Sequence, residues 1–149
     1  MKLEDEIKQS KFKSEYHKLG VNIIFTANWL SHHHARNCKE YDITPEQFNI
    51  LRILRGQHPK PATVNLLIER MLNKMSNASR LVEKLRKKGL AERQTSESDR
   101  RACDVVITKK GLDLLTELDK AEEKLNGMLS HISTQEAGKI NDLLDKLRK

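Results

Sequence analysis

The side chains most able to do chemistry in this chain of 149 residues are cations set at helical spacing. Arg80, Lys84 and Lys87 stand four and then three residues apart, so on a helix they share one face. Ser76, Asn77 and Ser79 lie just ahead of them, and Asp99-Arg100-Arg101 follows a dozen residues later. Such a set suits a polyanion: hydroxyls and amides reach base edges while cations meet phosphates. Between Arg70 and Arg101, ten basic residues outnumber four acidic ones, which puts +6 of the chain's net +7 in this one segment. Neutralised phosphates release counterions and so drive DNA affinity, and a localised patch says more than a high pI. A lone KLRKKG run would be explained equally well as a solvated helix face. The neighbouring elements decide.

Ala78, Leu81, Val82 and Leu85 fall at i, i+3, i+4 and i+7, the apolar stripe of a helix turned to a core. Ser76, Arg80, Glu83, Lys84 and Lys87 take its opposite side. The spacing predicts a start near Asn73 and a stop at Gly89, residue types suited to an N-cap and a left-handed C-terminal turn. A shorter helix before it is expected to be capped by Thr63, with Leu66, Leu67 and Met71 inward. Strand signals follow at residues 90–94 and 103–107, where Cys103, Val105 and Ile107 alternate with Asp104 and Val106. The order is helix, turn, helix and a basic β-hairpin, or wing, whose tip is Asp99-Arg100-Arg101. This is an apparatus for holding duplex DNA.

The flanks are helical. Phe12, Tyr16, Leu19, Ile23, Ala27, Leu30 and His34 recur at spacings of three and four, which predicts one long helix over the first forty residues, with Gly20 its weak point. Thr44-Pro45-Glu46-Gln47 opens the next: Thr44 as N-cap, Pro45 at the first helical position, Gln47 reaching back. Phe48, Leu51 and Leu54 form its inner side, and Gly56, Pro59 and Pro61 end it. From Thr108, Leu112, Leu115, Leu118, Ala121 and Leu125 make another stripe, continued by Met128 and Leu129. Ser133-Thr134-Gln135-Glu136 repeats the capping pattern ahead of Ile140, Leu143, Leu144 and Leu147. These stripes are too long for one small core, so part of them should meet another chain. The expected fold is mainly α with a small β-hairpin wing. It forms one winged-helix domain over 1–149, with a DNA-binding lobe at 44–107 and dimerisation helices at 1–40 and 109–149.

Other chemistries find little support. No apolar run approaches the ~20 residues that span a bilayer, and two distant cysteines make no disulfide framework. A reducing cytoplasm is therefore expected, and no membrane partner. His34 and Cys38, one helical turn apart, could begin a zinc site, but further ligands are wanting, so no metal or other cofactor is expected. Cys38 beside Arg36 and Lys39 could be a reactive thiolate, whereas Cys103 occupies an inward strand position. No Gly-rich phosphate loop, paired carboxylate or nucleophile motif appears. The chain does not read as an enzyme.

Three pieces together, SRLVEKLRKKGLAER (Ser79 to Arg93), DRR (Asp99 to Arg101) and ITKKG (Ile107 to Gly111), resemble the MarR family of bacterial winged-helix transcriptional regulators. The resemblance implies a homodimer on a pseudo-palindromic double-stranded operator, its two reading helices in successive major grooves about 34 Å apart. It implies a repressor released by a small-molecule effector, bound where the dimerisation helices meet the DNA-binding lobe; Tyr16, Trp29, His33 and Arg36 are the candidates there. It also implies that Arg101 enters the minor groove while Asp99 steadies the wing; Arg100 is expected to meet phosphate, although on sequence alone the two arginines could exchange roles. Ile68 departs from the small residue that many helix-turn-helix units carry, which leaves the docking angle of the reading helix open. The rival reading is an architectural DNA-binding protein with neither ligand sensing nor sequence preference.

The wing and the helix should fail differently. A narrow A·T-rich minor groove attracts an inserted arginine, so Arg101→Ala should cost specific binding ~1–3 kcal/mol and weaken the preference for A·T steps. Lys87→Ala should lose affinity evenly across sequences and flatten the salt slope by about one unit, as a phosphate contact does. Titrations of both variants across salt concentrations would separate them. Equal affinity of Arg101→Ala and the unaltered chain for a mapped operator would rule out the minor-groove role.

Overall fold

A computed structural model describes residues 1–95 and 103–149. The expected wing tip, Asp99-Arg100-Arg101, lies outside the described residues, as does the side chain of Cys103. The elements in chain order are α1 (Leu3–Ile7), α2 (Glu15–Lys39), α3 (Pro45–Gln57), β1 (Ala62–Thr63), α4 (Val64–Arg70), α5 (Ala78–Lys87), β2 (Ala91–Thr95), β3 (Cys103–Ile107), α6 (Lys109–Met128) and α7 (Thr134–Leu147). The mainly helical winged-helix architecture is as expected.

The single N-terminal helix is not. Lys8 ends α1 in the left-handed conformation, and Ser14, extended at φ −165°, caps α2 by accepting the His17 N–H at 3.1 Å. Phe12 therefore sits in the connection, its ring edge-on to His17, rather than on the helix stripe. Gly20 is no weak point; the helix runs through it. A local cap outweighs a continuous apolar period because it satisfies amide donors that the first turn would otherwise leave bare.

Each later boundary also follows from a named side chain. Thr44 and Gln47 form the predicted reciprocal box on α3, at 3.2 and 3.0 Å, and Thr63 caps α4 through the Leu66 N–H. Helix α5 begins at Ala78, four residues later than expected: Asn77 is the cap, and Asn73 instead folds the preceding turn by accepting the Met75 N–H. Gly89 stops α5 at φ +71°, with its own N–H on Arg86 and that of Leu90 on Leu85. That pairing closes two orphan carbonyls and needs a residue tolerant of positive φ.

The sheet has a strand that the sequence did not announce. Two-residue β1 pairs antiparallel with β3, Ala62 opposite Val105, so β3 is the central strand of the order β1-β3-β2. On its other side Ala91 faces Ile107 and Arg93 faces Val105. The core gathers Phe48, Ile50, Leu51 and Leu54 of α3 around Leu67, Met71, Val82, Leu85, Val105, Ile107, Leu115 and Leu118. Of the predicted α5 stripe, Ala78, Val82 and Leu85 are buried while Leu81 is half-buried at its edge. Ile68, whose bulk left the docking angle open, faces solvent. It therefore does not hold α4 and α5 apart.

One close approach joins these parts. A Cβ on Gly111, in the first turn of α6, would stand 2.4 Å from the Leu90 carbonyl oxygen and 2.7 Å from Ile107 Cγ1. Gly111→Ala should therefore destabilise by ~1–3 kcal/mol, the usual cost of overpacking, in spite of alanine's better helix propensity. Gly56→Ala, where nothing lies within 4 Å, should be neutral or stabilise by up to ~1 kcal/mol. Urea denaturation midpoints would show the opposite signs.

Candidate nucleic-acid interface

Helix α5 presents its cations outward because its other side is committed to the core. Ser79, Arg80, Lys84 and Lys87 are all exposed, and the last three line one side of a helix about 15 Å long. The neighbouring charges are mostly spent inside the fold. Glu83 is taken by Arg86 at 2.8 Å and approached by Arg93 at 3.9 Å, while Asp42 holds Lys88. The hydrogen bond from Arg86 keeps the Glu83 carboxyl below the usual range, so it stays ionised. Arg80, Lys84 and Lys87 pair with no described residue. Ser76 and Asn77 are less available than expected. Ser76 is half-buried ahead of the helix, not on its outer face, and the Asn77 carbonyl oxygen accepts the Arg80 N–H at 3.0 Å, leaving only its amide donors free.

The four candidate ligand residues do not converge. Tyr16 is 86% exposed and lies thirteen residues from Trp29, about 20 Å along α2. Trp29 and His33 stack edge to face at 5.1 Å, with exposed Arg36 one turn further on. Two open grooves, of about 550 and 670 Å³, include none of the four. Both involve Asp42 and Lys88 at the junction of the α2–α3 connection with the end of α5.

The sequence reading missed a polar clamp between α3 and α6. Arg55 grips Asp119 with two hydrogen bonds of 2.7 and 3.0 Å, and Arg52 reaches both oxygens of Glu122 at 3.2 Å. His34 of α2 approaches the same Glu122 at 3.5 Å. The bonds from Arg55 lower the Asp119 pKa and secure the charged pair. These partners are some 65 to 90 residues apart in the chain, so no local pattern could mark them; only the two stripes that bring the helices together hint at the contact.

A family model described as MarR family matches residues 41–102. The chain is similar to the HTH-type transcriptional regulator MhqR of Bacillus subtilis, 26% identical over 120 residues that cover 79% of this chain and 81% of that protein. Its fold is similar to that of Staphylococcus aureus MepR in complex with DNA, with a TM-score of 0.78, 20% identity and coverage of 92% and 97% of the two chains. It is also similar to Bordetella bronchiseptica BpsR, whose DNA binding is regulated by 6-hydroxynicotinic acid, with a TM-score of 0.74, 18% identity and coverage of 89% and 99%.

Cys38 does not occupy the electropositive, partly exposed niche that a reactive thiolate needs. It is buried in the core, its sulfur 3.7 Å from His34 Nδ1. Desolvation first, then the charges of Glu122 and Glu46, push the thiol up from 9.0 to about 11. The proton is held more tightly in the fold than in the unfolded chain. The neutral thiol's contribution is thus complete below pH 9 and is lost as the pH rises through 11. Cys38→Ala should lose packing stability at every pH, on the order of 1 kcal/mol for so small a group, and should also remove this alkaline slope. Between pH 8 and about pH 10.5 the unaltered chain should lose ~2 kcal/mol more than the variant. Parallel denaturation profiles would contradict the buried thiol.

Proposed function

The chain belongs to the MarR family and is a DNA-binding transcriptional regulator; from that premise we propose that it is a homodimeric bacterial repressor, working in the cytoplasm, that an effector releases from a pseudo-palindromic operator. The observation that carries this reading is the exposed face of Arg80, Lys84 and Lys87, unpaired among the described residues and mounted on a helix whose opposite side is locked into the core. One such helix reads one half-site. Ser79 and the free amide donors of Asn77 address bases, the three cations address phosphates, and the Asp99-Arg100-Arg101 wing follows the neighbouring minor groove.

A second copy supplies the other half-site. Ile140, Leu143 and Leu147 of α7 are exposed, Leu143 by 61%, as are Leu19 and Ile24 of α2 and Leu129 and Ile132 beyond α6. Apolar surface on this scale marks an interface. The effector reading is supported by the clamp of Arg52 and Arg55 on Glu122 and Asp119, which couples the reading lobe to α6. A ligand shifts the spacing between the two lobes only by binding their arrangements with different affinity. Trp29, His33 and Arg36, on one side of α2, border the region where such a ligand would sit. The liganded regulation of BpsR is a precedent at the level of the fold.

Footprinting on DNA flanking the gene should reveal a discrete protected palindrome with half-sites about one helical turn apart. Smeared protection would favour the architectural reading instead. Deleting residues 133–149 should give a monomeric or insoluble protein that no longer binds DNA tightly. Sedimentation of the intact chain as a stable monomer at micromolar concentration would defeat the two-half-site model.

A further inference from the structure

The turn between α4 and α5 displays apolar side chains where a DNA-facing loop would be expected to be polar. Met75 is 93% exposed and Leu72 is 87% exposed, with Ile68 beside them at the end of α4. The loop has polar groups too, largely engaged in its own hydrogen bonds. Asn49 of α3 accepts the Leu72 N–H at 2.9 Å, Asn73 accepts the Met75 N–H at 3.0 Å, and Asn77 accepts that of Arg80. The Lys74 ammonium bends back onto the carbonyls of Ile68 and Glu69, at the negative end of α4. The turn is thereby fixed, and two large hydrocarbon tips stand out to solvent beside exposed Asn73 and Lys74. They stand directly ahead of the N-terminus of α5, the part of a reading helix that meets base edges.

We propose that Leu72 and Met75 read thymine methyl groups in the major groove, so that sequence preference in the half-site rests partly on apolar contact. The inference rests on the DNA-binding reading above. Exposed Arg70 precedes the tips in the chain and exposed Arg80, Lys84 and Lys87 follow them, so a surface that covers this segment is favoured if it is anionic. Duplex DNA meets both demands, because the thymine C5-methyl is the one apolar group on a major-groove edge that phosphates flank. Methionine's flexible thioether can follow a methyl across small changes of docking angle. Ser76 is half-buried and Asn77 has only its amide donors to offer, so neither supplies an apolar contact.

The test is a scan that replaces each thymine of the mapped operator by uracil, which deletes the methyl and keeps the base pairing. At one or two thymines per half-site the unaltered protein should lose about fourfold in affinity, the effect of removing one buried carbon-sized group. Met75→Ala and Leu72→Ala should bind the thymine operator more weakly and lose sensitivity to uracil at those positions, with unchanged circular dichroism. A flat scan for the unaltered protein would overturn the inference alone. So would variants that keep the full uracil response, which would leave the tips to a protein partner. Failure of the unaltered protein to bind any unmodified operator is a different result and would overturn the regulator reading along with it.

Discussion

The arrangement turns on a contact of a few atoms, where the end of α5, the start of β2 and the start of α6 share one space. The Leu90 carbonyl accepts the Thr108 N–H, the Thr108 hydroxyl donates to the Gly89 carbonyl at 2.7 Å, and Lys110 reaches the Lys88 carbonyl at 2.9 Å. Only a residue without Cβ lets α6 lie this close to Leu90. Helix α5, the sheet and the long C-terminal helix are therefore geometrically one body at this point. A tilt of α6 cannot leave α5 where it was.

The α3–α6 clamp adds direction more than stability. Its arginines and carboxylates are partly exposed, and ion pairs in that setting contribute on the order of 1 kcal/mol or less each. The Arg55–Asp119 pair is bidentate and so fixes rotation as well as distance, since a guanidinium is a planar fork, while Arg52 spans both Glu122 oxygens from one nitrogen. Burial of Phe48, Leu51 and Leu115 holds the helices together, and the clamp sets how they face one another. A state with α6 displaced would exchange these pairs for solvated charges at modest cost.

Much of this was legible in the residues. Thr44, Thr63, Gly89 and Ser133 are caps whose chemistry is local, and all four stand at the ends they mark. The stripe of Ala78, Val82 and Leu85 located the outer face of α5 correctly because burial and periodicity are the same fact seen twice. Errors came where local signals competed. Asn73 and Asn77 are equally good caps on paper, and only the fold of the turn assigns one to the helix and the other to the loop. Ser14 was hidden by an apolar period that ran through it. The pairing of β1 with β3, the Arg55–Asp119 bond and the burial of Cys38 depend on parts of the chain far apart in sequence, so the residues concerned carry no nearby signal. The exposure of Leu72 and Met75 was invisible for the opposite reason: apolar residues beside a buried Met71 read as core.

On DNA, the division between exposed cations and apolar tips would have a kinetic meaning. Phosphate attraction acts over roughly a Debye length, ~8 Å at physiological salt, and is blind to sequence. Arg80, Lys84 and Lys87 would therefore govern how fast the protein arrives and how readily it slides. Methyl contact by Leu72 and Met75 acts only at van der Waals distance, after arrival, and so would govern how long the protein stays. Ionic strength would then tune the search, and operator sequence the residence time, through different residues of one short helix and its turn. A regulator built this way can be made faster without becoming less selective.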